Sequence, residues 1–254
     1  MAITIKSERE IELMAEAGKI LERVHNELEK ALRPGMSTKD IDTLGEEIIR
    51  SYGCIPSFLN YNGYPASICV SVNQEVVHGI PDKLRIIQEG DIVSLDAGVI
   101  YKGYHSDAAR THAVGEVSEE AKKLIQVTKE SFFEGIKFAK AGNHLFDISG
   151  AIGRYAEERG YGVVRDLCGH GIGTALHEAP EIPNYEVGRK GVRLRPGMTL
   201  AIEPMINIGT HEVDWLDDDW TVVTRDGSLS AHYENTILIT EGEPRILSLT
   251  CENE

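Results

Sequence analysis

The strongest constraint on how this chain folds is an internal repeat. Gly35 is followed five residues on by Asp40-Ile41 and eighteen on by Gly53. Gly142 is followed at the same intervals by Asp147-Ile148 and Gly160, a shift of 107 residues. The same shift carries Gly90-Asp-Ile-Val-Ser-Leu-Asp96 onto Gly197-Met-Thr-Leu-Ala-Ile-Glu203. In each half an apolar strand ends on a carboxylate. His78-Gly-Ile-Pro81 and His177-Glu-Ala-Pro180 share a His-x-x-Pro skeleton. Two like halves, about 1–115 and 116–254, could meet across a pseudo-twofold axis and pool their acids. That arrangement predicts a carboxylate-rich metal site.

The 254 residues suit one large domain or two small ones, and 41% apolar content supplies a full core. No Pro/Gly/Ser-rich linker divides the halves, so a single domain, 1–254, is expected. A formal net charge of −15 disfavours nucleic acid and anionic lipid as general partners. The local basic run Arg189, Lys190, Arg193, Arg195 reads as a solvated loop. The N-terminus lacks the pattern of a signal peptide, and no apolar run reaches the ~18 residues of a membrane span. Four cysteines, Cys54, Cys69, Cys168 and Cys251, form no CxxC or dense framework, which suits a reducing cytoplasm.

Ser7-Glu-Arg-Glu10 is a capping box before a helical run ended by Pro34-Gly35. Ser37 caps a second helix, with Gly53 as its stop. Ser118 opens a third, through about Lys140, and a fourth runs to Gly160. Strands are expected over 68–72, 91–99, 104–114, 198–203 and 231–239. A turn at Tyr101-Lys102-Gly103 would set Asp96 and Asp107 close to directly opposite. Glu234 would stand in the same relation to Glu203, after an insertion containing Trp215-Leu-Asp-Asp-Asp-Trp220. The fold class is α+β.

A carboxylate inside an apolar strand is costly unless paired or bound to metal. One such residue alone reads as an exposed strand end. Asp96, Asp107, Glu203 and Glu234 at matched positions read as a site. Gly169-His170-Gly171-Ile172-Gly173 adds a nitrogen ligand, its glycines permitting close backbone approach. Four carboxylates are neutralised by two divalent ions. Oxygen ligands with one imidazole suit Mn, Fe(II), Co or Zn. A water shared by two such ions becomes a nucleophile near neutral pH.

The motifs Asn-Gly-Tyr64-Pro-Ala-Ser-Ile-Cys69, His78-Gly-Ile-Pro, Leu-Asp96-Ala-Gly, His105-Ser-Asp107, Gly-His170-Gly, Ile-Glu203-Pro and Tyr-Glu234-Asn-Thr together resemble the type I methionine aminopeptidases, in the short bacterial form. That resemblance spans the chain. It implies the pita-bread fold: an antiparallel sheet, helices outside, and two pseudo-twofold-related halves. It implies removal of the initiator methionine from nascent polypeptides whose second residue is small. Asp96, Asp107, His170, Glu203 and Glu234 would hold the two metals, with Asp107 and Glu234 bridging. Glu203 would shuttle the proton, His177 would stabilise the oxyanion, and His78 would steady the amide nitrogen. Tyr61, Tyr64, Cys69 and Trp220 match the methionine pocket, with Phe58 and Leu176 nearby. A monovalent cation near Asn73 and Ser230 and a contact with the ribosome surface come with the resemblance; a cytoplasmic monomer is expected. His25, His105, His144, His211 and His232 read as structural or surface residues. The competing readings are an X-Pro peptidase of the same fold and a metal-free binding module. Ala2 suits excision of Met1 by this activity.

Overall fold

The structure, a computed structural model, describes residues 2–249; Met1 and Cys251 lie outside the described residues. Among the described residues four α-helices form where apolar spacing and capping residues coincide. Helix α1 (Glu8–Ala31) starts at the Ser7/Glu10 capping box, and α2 (Thr38–Ser51) at a Ser37/Asp40 box. Helix α3 (Glu119–Ile136) is capped by Ser118, and α4 (Leu145–Glu157) follows. Helix α3 ends about a turn earlier than the expected Lys140. The Phe138 and Ala139 amides bond back only three residues, to Gly135 and Ile136, tightening the chain out of the α-helix.

A nine-stranded sheet takes strands from both halves. At its centre the Tyr104–Ala113 strand runs antiparallel to Glu234–Leu238. Outward from that junction the first half continues through Ile92–Tyr101 to Ile68–Val72. The second half continues through Thr199–Ile202 to Gly169–Gly171 and then Glu178–Ile182. Each half thus contributes a return strand, an acid-bearing strand and an outer strand, in mirrored order about the junction.

The helices cover one face. Leu21, Val24, Ile41 and Ile49 pack on Val70, Val93, Leu95 and Ala97. In the second half Phe132, Leu145, Ile148 and Ile152 pack on Leu200, Ile202 and Ile237. Side chains alternate faces along a strand, so Asp96 and Asp107 point away from this core. His25, on α1, sits in the helix-covered layer, its Nε2 2.8 Å from the Ala108 carbonyl, as its structural reading expects.

Candidate active site

Register places the acids. Lys102 and Gly103 form a two-residue hairpin turn, both with positive φ (49° and 87°), the geometry that matches strand twist. The expected near-direct opposition of Asp96 and Asp107 is corrected: with Lys102 and Gly103 in the turn it would need a four-residue loop, whereas the two-residue turn pairs Tyr101 with Tyr104. Asp96 faces Ala109, and Asp107 faces Gly98. The two acids are diagonal neighbours on one face. Across the sheet, Cys69 pairs with Asp96, Asp96 with Ala109, and Ala109 with Glu234. Small Ala109 leaves room between the two acids that flank it. Ile202 pairs with Asn235, so Glu203, one residue beyond its strand, falls beside Glu234. His170 pairs with Ala201, two residues before Glu203.

The four acids, Cys69 and His170 face one cavity of about 390 Å³, within the range of small-ligand sites. Asp96, Asp107, His170, Glu203 and Glu234 line it, together with His78, His177, Tyr61, Tyr64, Cys69 and Trp220. Phe58, Asn62 and Leu176 complete the wall. Asn62, the first residue of the Asn-Gly-Tyr64 motif, was given no role in the site from the sequence.

The acid cluster is electrostatically strained as it stands. Burial pushes the Asp96 carboxyl up to about 7. Burial, then the neighbouring Asp96 and Glu203, hold Asp107 well above the usual range. Glu203 rises through burial and then Asp96, and Glu234 through burial and then Asp107 and Glu203. Asp96 Oδ1, Asp107 Oδ1 and Glu234 Oε1 are buried with no hydrogen-bond partner. Buried unpartnered acceptors in close company are what divalent cations satisfy. One ligand atom each from Asp107, His170 and Glu234 lies within 4.8 Å of the others, and the same holds for Glu203, His232 and Glu234. His170 Nε2 is 3.8 Å from Asp107 Oδ2 and 3.6 Å from Glu203 Oε1. Burial holds His170 at a pKa of about 3, the neutral state a metal ligand needs. Asp96 lines the same cavity but joins neither close trio. The donor set therefore fits hard or borderline divalent cations.

His170 owes its position to its glycines. A Cβ on Gly169 would overlap the Ala201 carbonyl, and one on Gly171 would overlap the Ala179 carbonyl. Neither glycine has positive φ; close strand approach is what both supply.

The histidines without acid partners frame the other wall. His177 stacks on Tyr61 with ring centroids 5.2 Å apart, its Nδ1 2.8 Å from Tyr61 Oη, and burial lowers its pKa. His78 holds φ 58°, a strained conformation for histidine of the kind found at functional sites. Burial, then His177, lowers its pKa to about 4. Trp220 stands edge-on to both His78 (6.2 Å) and Tyr64 (5.1 Å). Among the described residues Cys168 has no activating neighbour; burial, then Glu203, pushes its thiol up to about 11.

His232 departs from its structural reading. It is buried, and its Nε2 lies 3.7 Å from Glu203 Oε2 and 3.9 Å from Glu234 Oε2. The signal was its place two residues before Glu234, on the same face of an extended segment. His105, also buried, sets its Nδ1 3.0 Å from Ser57 Oγ.

Fold and site together define a metallopeptidase. The profile of metallopeptidase family M24 matches residues 12–241. The chain is 58% identical to a methionine aminopeptidase of Clostridium acetobutylicum, over 98% of this chain and all of that protein. It superimposes on the crystal structure of methionine aminopeptidase from Thermotoga maritima with a TM-score of 0.96 at 47% identity, covering 98% of this chain and 100% of that one. An Xaa-Pro dipeptidase from Bacillus anthracis shares the fold at a TM-score of 0.78 and 28% identity, but the match covers 97% of this chain and only 62% of that one. The chain belongs to metallopeptidase family M24 and, within it, to the methionine aminopeptidases. Its α+β architecture is the pita-bread fold of these proteins. Among the described residues no helix is long and apolar enough to cross a membrane.

Proposed function

We propose that this chain removes the N-terminal methionine of new polypeptides whose second residue is small, working as a monomer in the cytoplasm. The observation that supports it best is the junction in one cavity of a five-residue acid and imidazole cluster with an apolar slot. That slot, of Phe58, Tyr64, Cys69, Leu176 and Trp220, suits an unbranched thioether. Asp96, Asp107, His170, Glu203 and Glu234 would hold two divalent cations, of Mn, Fe(II), Co or Zn. When bound, such cations acidify water and polarise a carbonyl.

The chain's own groups do the rest. Glu203 accepts the proton of the attacking water and passes it to the departing amine. In the tautomer with its proton on Nε2, His177 accepts at Nδ1 from Tyr61 Oη, 2.8 Å away, and its Nε2–H donates to the scissile carbonyl oxygen as negative charge develops there. His78, neutral and fixed beside Trp220, orients the amide nitrogen. The substrate's free amine needs the acid cluster as its partner, so cleavage is restricted to the first residue. The chain acts as one domain, a reading the shared sheet supports. Asn73 and Ser230, joined by a 2.9 Å bond from the Ser230 amide to the Asn73 carbonyl, would flank a monovalent cation. The ribosome surface is the proposed place of encounter with substrate, and the chain's own N-terminus, with Ala2 second, is a substrate of the same kind.

Mn²⁺-loaded protein offered Met-Ala-Ser and Ala-Pro peptides tests this directly. Free methionine should be released from the first and the second left intact; preference for the X-Pro peptide would reject the substrate assignment.

A further inference from the structure

His232 approaches the acid cluster from behind. It ends the Ser230–His232 strand, pairs with Met205, and so lies next to Glu203-Pro204. It does not line the substrate cavity. It borders a separate polar cavity on the other side, with Arg110, His112 and Lys129. The two oxygens of Glu203 are therefore divided between two imidazoles: Oε1 lies 3.6 Å from His170 Nε2, and Oε2 lies 3.7 Å from His232 Nε2. Both ring nitrogens of His232 are buried without a hydrogen-bond partner among the described residues.

A neutral imidazole carries one N–H. Nε2 lies 3.7 Å from Glu203 Oε2 and 3.9 Å from Glu234 Oε2, two carboxylate acceptors, so that is where the proton is best placed. Closing either gap to the ~2.9 Å of a hydrogen bond takes a shift of about 1 Å. Carboxylates that bind metal are commonly held by hydrogen bonds from outside the coordination sphere, and loss of such a partner weakens metal binding.

We propose that His232 is a positioning residue, donating its Nε2–H to the Oε2 atoms of Glu203 and Glu234 and thereby fixing both carboxylates for the metal centre. It adds no ligand of its own. The inference rests on the reading of the cluster as a metal site. That reading fails separately if the unaltered protein binds no Mn²⁺.

The test compares wild type with His232→Ala and His232→Gln, each stripped with chelator and checked for folding by circular dichroism. Calorimetric titration with Mn²⁺ should show affinity about 10- to 100-fold weaker in the alanine variant. Glutamine, which can still donate, should recover most of that loss. X-ray absorption of the Co²⁺ forms should count one imidazole per pair of ions in wild type and in both variants. Unchanged Mn²⁺ affinity in His232→Ala would overturn the proposal. So would equal losses in both variants. A second imidazole in wild type, lost on substitution, would make His232 a ligand instead.

Discussion

The smallest unit that explains the site is a polar side chain and its single partner. His177 is held by Tyr61 through a 2.8 Å contact and a stacked ring, and burial keeps it neutral. It touches the cavity without joining the close acid trios. His177→Ala should therefore retain Mn²⁺ affinity while kcat falls about 10²- to 10³-fold, the usual worth of one oxyanion donor. Metal titration and steady-state kinetics on one preparation check it; a loss of metal binding in parallel with rate would reassign the residue. At this scale much was legible. Acids inside apolar strands betray themselves, because an unpaired charge is rarely buried. His232 did not, because a histidine in a strand reads equally well as core, and only its approach to Glu203 and Glu234 separates the cases.

Among the elements, the strands bearing the acids and His170 matter through their spacing and register. The Gly169–Gly171 strand can lie against its neighbours only because both glycines lack a Cβ. Gly171→Ala would press a methyl group into the Ala179 carbonyl. Backbone does not yield as a flexible side chain does, so destabilisation of about 1–3 kcal/mol is expected, with His170 displaced. Chemical denaturation of the chelated protein should show the stability loss, and Mn²⁺ titration the weaker binding. Wild-type behaviour in both would mean that the strand has slack. Helix starts were readable from Ser7, Ser37 and Ser118, because a side-chain cap is a local event. The hairpin register was not. Tyr101 could be counted in the turn or in the strand, and the choice moves Asp107 by one partner.

For the whole molecule, two halves share one sheet, and their acids meet where the strands of each half converge. The repeat predicted that convergence; the offset between directly paired and diagonal acids lies below what a 107-residue shift can resolve. Convergence carries a cost visible in pH dependence. Asp96 titrates at about 7 in the folded protein against an ordinary 3.8, and Asp107, Glu203 and Glu234 shift the same way. Between those values the folded chain binds more protons than the unfolded one. Chelated protein should thus be most stable below about pH 4 as far as these groups decide it, and lose that contribution as pH rises through 7. Cations that bind the ionised cluster reverse the trend, so stabilisation by Mn²⁺ should grow over the same interval. Denaturation midpoints at pH 5 and 7.5, with chelator and with excess Mn²⁺, decide it; a metal effect equal at both values would count against the coupling.

The most direct trial of the account is a titration of fully chelated protein with Mn²⁺, following bound metal and methionine released from Met-Ala-Ser in the same samples. Activity should be absent at the start and rise in step with saturable metal binding, up to two ions per chain. Full turnover in chelator, or bound Mn²⁺ without any released methionine, would contradict the claim that the acids of both halves and His170 form one hydrolytic metal centre.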